Sequence, residues 1–256
     1  MMFRRIVLCL STVALAVTAG VMAPAIGVAV PNAAQPLIVG GRPASEPYPS
    51  FAKLNVPEGF VCGGVVIAPL WVATAKHCLE PFGPVTFVRI GGTTLAEGER
   101  IDVVQRIGAP GDSDLGLLKL AKPTSATPTR ITRAPLAPGL PVRIIGHGQT
   151  CPEPECGGAS RTLNELDTKL HPPRDCYGIA ANEICVGDAA GVGNPGKGAC
   201  YGDSGGPAFT KVNGTWELAG TTSRSGGGAV CTWYPSIYNS VPAHRSFIEQ
   251  HTTPLP

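Results

Sequence analysis

From Ile38 to its end, glycine and proline cut this chain into apolar segments only four to eight residues long. Segments of that length, bounded by turn residues, are too short for a helical core and read as strands of an all-β fold. The stretches 61–68, 85–90, 115–120, 142–145, 207–210 and 216–221 fit this description. One helix is expected, near the end over 243–251, with Phe247 and Ile248 on its apolar face and Glu249 and Gln250 toward water. There is no internal repeat.

The first 37 residues have a different texture. Arg4 and Arg5 precede a run over 6–29 without a single charge, which reads as a secretion signal over 1–29. Small residues at Gly27 and Ala29, or at Val21 and Ala23, offer cleavage sites. The run is also long enough to be a membrane anchor, although Gly20, Pro24 and Gly27 interrupt its second half. Residues 30–37, rich in Ala and Pro, read as a short propeptide or linker. A secreted, extracellular protein without stable membrane association is therefore expected.

Of nine cysteines, Cys9 lies in the leader, so eight remain, an even number that suits disulfides in an exported chain. There is no CxxC pair, and the five histidines have no ligand spacing, so neither metal nor cofactor is expected. Only 15% of residues are charged, the formal net charge is +2 and the basic residues are scattered, which argues against a nucleic-acid partner.

Three segments carry chemistry. Gly202-Asp203-Ser204-Gly205-Gly206-Pro207 sets a serine between glycines. A serine hydroxyl needs a base to become a nucleophile, and a tight turn of small residues turns backbone N–H groups toward a developing oxyanion. A bare Gly-x-Ser-x-Gly also fits a surface loop; the six-residue string is more specific. Thr74-Ala75-Lys76-His77-Cys78 follows a strand and offers His77 as the base, with Cys78 available to tether the loop. Asp114 heads the apolar strand of 115–120; a carboxylate buried there needs a partner, and an imidazole N–H supplies one. Asp112 is the rival for that role.

Together with Ile38-Val39-Gly40-Gly41, these segments resemble the chymotrypsin/trypsin-type serine peptidases in both content and His–Asp–Ser order. The resemblance implies a peptidase domain over 38–256: two six-stranded antiparallel β-barrels with a boundary near 135, a C-terminal helix, and the active site in the interbarrel cleft. It implies a serine endopeptidase with His77 as base, Asp114 orienting it, Ser204 as nucleophile, and the N–H groups of Gly202 and Ser204 as oxyanion hole. The family pattern pairs Cys62 with Cys78, Cys176 with Cys185 and Cys200 with Cys231, leaving Cys151 with Cys156. The implied partners are protein or peptide substrates and protein inhibitors, and a monomer is expected. The alternatives are a non-catalytic binding protein on the same fold and a metal-dependent hydrolase.

The resemblance also assigns a substrate pocket to Gly198, Ala199, Ser223, Ser225 and Ser236. Gly198 stands where trypsin-like enzymes hold an aspartate, so cleavage after apolar rather than basic residues is expected, with a small-residue preference as the alternative. Two departures are His147 and Arg224, each where the family often has Trp. Activation is expected by a cut before Ile38, whose new amine pairs with Asp203. Leu37 at that junction does not imply a trypsin-like activator. Asn213-Gly214-Thr215 is a glycosylation sequon.

Overall fold

The computed structural model describes residues 38–188, 191–194, 196–252 and 255. The expected signal and propeptide, 1–37, lie outside them.

Thirteen strands are found among the described residues: β1 (Arg42–Pro43), β2 (Phe51–Val56), β3 (Gly59–Ala68), β4 (Trp71–Ala75), β5 (Phe87–Ile90), β6 (Glu99–Gly108) and β7 (Leu115–Leu120), then β8 (Pro141–Gly146), β9 (Asn164–His171), β10 (Glu183–Val186), β11 (Pro207–Val212), β12 (Thr215–Ser225) and β13 (Ser236–Ser240). Strands β2-β3-β4-β7-β6-β5 close into one antiparallel barrel. Strands β9-β10-β13-β12-β11-β8 close into a second through the β8–β9 pairing, and β1 adds to its β9 edge. Closure removes the free edges that an open sheet would expose.

Three apolar clusters hold this together. Leu54, Val66, Val72, Val88, Ile101 and Leu118 fill the first barrel. Val142, Ile144, Leu166, Val186, Ala219 and Tyr238 fill the second, with Ile38 packed among them. A third lies between the barrels: Phe51, Val65 and Ile67 from one meet Ile145, Phe209 and Leu218 from the other. Fully burying each Val, Leu, Ile or Phe of this kind contributes about 1.5–3 kcal/mol, so an apolar seam joins the barrels. The connecting segment stitches the same seam: Thr129 donates to the Val66 carbonyl, and Thr132 to that of Leu218.

The C-terminal helix α1 (Arg245–Thr252) starts later than the expected 243–251, because Pro242–His244 forms a separate 3₁₀ turn. Ile248 is buried, Phe247 is half-buried, and Glu249 and Gln250 are exposed. The expected strand of 85–90 starts at Phe87; Val85 instead turns back to donate to the Leu79 carbonyl.

Candidate active site

The register of β4 and β7 builds half of the site. Ala75 pairs with Leu115, so the residues just beyond, His77 in the 3₁₀ turn Lys76–Cys78 and Asp114 before β7, emerge side by side. The Lys76 N–H donates to the Asp114 carbonyl, and the Cys62–Cys78 disulfide ties the turn to β3. Asp114 then holds His77 twice: Oδ1 accepts from the backbone N–H at 2.9 Å, and Oδ2 lies 2.9 Å from Nδ1. Ser223 donates to the same Oδ2 at 2.6 Å. Burial works to raise the Asp114 pKa, but the hydrogen bonds from His77 and Ser223 outweigh it and hold the carboxyl below its ordinary range. An ionised Asp114 facing Nδ1 favours the tautomer with its free lone pair on Nε2.

The other half comes from the second barrel. Gly206 N–H donates to the Asp203 carbonyl, closing a tight turn around Ser204, and the Ser204 carbonyl accepts from Gly63 of β3 at 2.8 Å. Gly205 has a φ of +73°, and a Cβ there would strike Thr74 and the Gly63 carbonyl, so only glycine lets the turn lie this close to β4. The Gly202 and Ser204 N–H groups have no hydrogen-bond acceptor among the described residues. His77 and Ser204 are not hydrogen-bonded to each other, a contact that in unliganded enzymes often tightens only with substrate.

Beside Ser204 opens a cavity of about 280 Å³. Ala199, Ser223, Ser225 and Ser236 line it, as do Thr222, Ala229, Tyr201 and the Cys200–Cys231 disulfide. No carboxylate is among the lining residues, and the one charge there is Arg224. Gly198 is not among these residues; its backbone pairs with Val39, and an added Cβ would meet Thr232 Cγ2 at 3.4 Å.

The family profile described as Trypsin matches residues 38–248. The chain belongs to the trypsin family. Kallikrein-14 of Homo sapiens is a similar protein, 29% identical over 238 residues and covering 83% of each chain. As a trypsin-family member the protein is a serine-type endopeptidase, a hydrolase acting on protein substrates.

Several features of this trypsin-family site escape sequence reasoning. Ser223 does more than line the pocket: its hydroxyl is spent on Asp114. Asn239 of β13 also reaches across to the Asp114 carbonyl at 3.2 Å. Arg224 is bound by Glu183, whose side chain is 5% exposed, and this ion pair raises the Arg224 pKa above its ordinary value. These partners lie far apart in sequence, and no local pattern announces them.

Asp203 is buried, accepting from Gly148 N–H at 2.8 Å and Cys200 N–H at 2.9 Å. A Cβ at Gly146 or Gly148 would collide with its carboxylate. Desolvation pushes the Asp203 pKa up to about 7, since two backbone N–H groups only partly replace water and no cation pairs with it among the described residues. The remaining disulfides are Cys176–Cys185 and Cys151–Cys156. Gln149 binds the carbonyls of Cys151 and Glu153, and Cys231 N–H reaches the Pro152 carbonyl, so the 151–156 loop is laid against the Cys200–Cys231 bridge. His77 lies beside Cys62 and Cys78, but those sulfurs are bonded to each other and cannot serve as metal thiolates.

Proposed function

We propose that this chain is a secreted, monomeric endopeptidase that cleaves after apolar residues, with Ser204, His77 and Asp114 as its catalytic triad. The observation that carries the triad is the double clasp of Asp114 on His77, reinforced by Ser223, beside a serine-bearing cavity. His77 Nε2 takes the Ser204 proton as Oγ attacks the scissile carbonyl. The N–H groups of Gly202 and Ser204 receive the negative oxygen. His77 returns the proton to the leaving amine, and water, activated by the same nitrogen, hydrolyses the acyl-enzyme. Protein inhibitors would occupy the same cleft.

The absence of a lining carboxylate supports the apolar preference, since a substrate Arg or Lys would be desolvated without a counter-charge. A peptide-library digest tests it. Cuts after Leu, Met, Phe or Tyr are expected, with basic residues gaining ground in Gly198→Asp. Efficient cleavage after Arg by the unaltered enzyme would contradict the assignment. Predominant cuts after Ala or Val would favour the small-residue alternative.

The export leader over 1–29 and the eight remaining cysteines support secretion. For activation, the buried carboxylate of Asp203, with no cation beside it among the described residues, supports a cut before Ile38, whose amine would supply the missing charge. Ile38 itself is buried with φ at +35°, a dihedral costly for a β-branched residue. Cutting the bond before it abolishes that dihedral.

A further inference from the structure

In β12 the pairing with β13 slips between Thr222 and Arg224, so Ser223 is the extra residue of a bulge. Bulges re-aim side chains, and here Ser223 reaches Asp114 while Arg224 turns to Glu183. The guanidinium makes a forked contact with that carboxylate, Nη1 to Oε1 at 2.5 Å and Nη2 to Oε2 at 2.8 Å. It also donates from Nη2 to the Gly178 carbonyl at 2.9 Å and from Nη1 to Ser223 Oγ at 3.3 Å. Glu183 is fixed in turn by the Ala180 N–H at 2.7 Å.

Ser223 therefore accepts from a cation and donates its one proton to Asp114 Oδ2, the oxygen that faces His77 Nδ1. Accepting from a cation polarises a hydroxyl and strengthens the bond it donates. We propose that Glu183 and Arg224 are a positioning pair that, through Ser223, sets how strongly Asp114 supports the protonated imidazole of His77. The inference rests on the triad reading above. Arg224 is the near member of the pair and Glu183 the far one, so their charges pull the acid limb of the pH–rate profile in opposite directions. A cation near Asp114 weakens the carboxylate's hold on the imidazolium; an anion strengthens it.

Other charged or titratable groups also face this chain. Lys76, next to His77, has its ammonium on the Ala109 and Gly111 carbonyls. Ser113, next to Asp114, meets His244 Nε2 at 2.6 Å, and Asp112 is exposed on the same loop. All are common to every variant below, so their influence cancels in the comparison.

The test is the kcat/KM pH profile of enzyme expressed from the full chain, processed, and titrated with a serine-directed phosphonate. Glu183→Gln should move the acid limb down, and Arg224→Gln should move it up, each by about half a pH unit at low salt. The double variant should fall between them. Arg224→Lys, which keeps the charge but loses the fork, should stay nearer the unaltered enzyme than Arg224→Gln does. If Arg224→Gln yields no titratable sites, the sign of the Glu183→Gln shift still decides. Limbs that do not move, or that move the same way in both single variants, overturn the proposal while leaving the triad intact. Failure of the unaltered enzyme to react with the phosphonate overturns the triad reading, and the proposal with it.

Discussion

The two barrels share an architecture but differ in what they bury. The first is filled by aliphatic side chains, and its one fully buried ammonium, Lys53, is satisfied by the carbonyls of Gly91, Thr94 and Glu97. The second buries Glu165, Asp203, His147, Asn164 and Asn239. Glu165 is held by Ser45, Tyr48 and Arg42, whereas His147 Nε2, the Asn164 amide and Asn239 Oδ1 have no hydrogen-bond partner among the described residues. Buried polar groups cost stability unless paired. The two barrels divide the labour. The first barrel mounts His77 and Asp114, and the second carries the serine turn, the pocket and a buried carboxylate with no cation beside it among the described residues.

That division is tested most severely by removing one group of the proposed triad from each side. Ser204→Ala, from the second barrel, and His77→Ala, from the first, should each lower kcat/KM by about 10⁴-fold or more, and the double variant should be scarcely worse. Asp114→Asn should lose comparable activity through the wrong tautomer. Circular dichroism should remain unchanged in all of them. An inactive Asp112→Asn alongside an active Asp114→Asn would transfer the third role to Asp112.

The same contrast explains what could be read from sequence. Strands β3, β7, β8, β11 and β12 announce themselves as apolar runs, because what they bury is hydrocarbon. Strands β9 and β13 do not, because Asn164, Glu165 and Asn239 face inward and erase the apolar pattern. Strand β4 was legible only as the approach to His77, and β6 hid its inward residues among charges. The triad candidates were legible because nucleophile and base need particular neighbours within a few residues. The roles of Ser223, Glu183 and Asn239 depend on contacts between distant strands, which only the fold creates.

Asp203 offers the next largest effect. Its folded pKa of about 7 stands above the ordinary carboxyl value, so the folded precursor holds a proton that the unfolded chain releases. The uncut Ser204→Ala precursor should therefore be most stable below about pH 4 as far as this group is concerned, and lose that stability as pH rises toward 7. A cut before Ile38 should abolish the loss by supplying an ammonium partner, and acetylating the new amine should restore it and silence the active enzyme. Thermal melts of both forms across this pH range measure the effect. Identical profiles would separate Asp203 from activation.

A smaller effect of the opposite sign belongs to His147. It is lodged between Phe51 and Phe60 of the first barrel, donates from Nδ1 to the Ser160 carbonyl, and is held down to a pKa of about 4 mainly by desolvation. Because its folded pKa lies below the unfolded value, stability is complete above about pH 6.5 and falls as pH drops toward 4. Replacing His147 with Phe should flatten this part of the stability profile by about 1–3 kcal/mol at most, with little change in kcat/KM. An unchanged acid slope would mean that the ring is not the group being titrated.

The proposed triad requires that a serine of the second barrel be activated by a histidine of the first. Peptide mapping after treating the processed enzyme with a serine-directed phosphonate measures that activation. One stoichiometric adduct is expected, on Ser204, and almost none when His77 is replaced by alanine. An adduct on another serine, or undiminished labelling of Ser204 without His77, would contradict it.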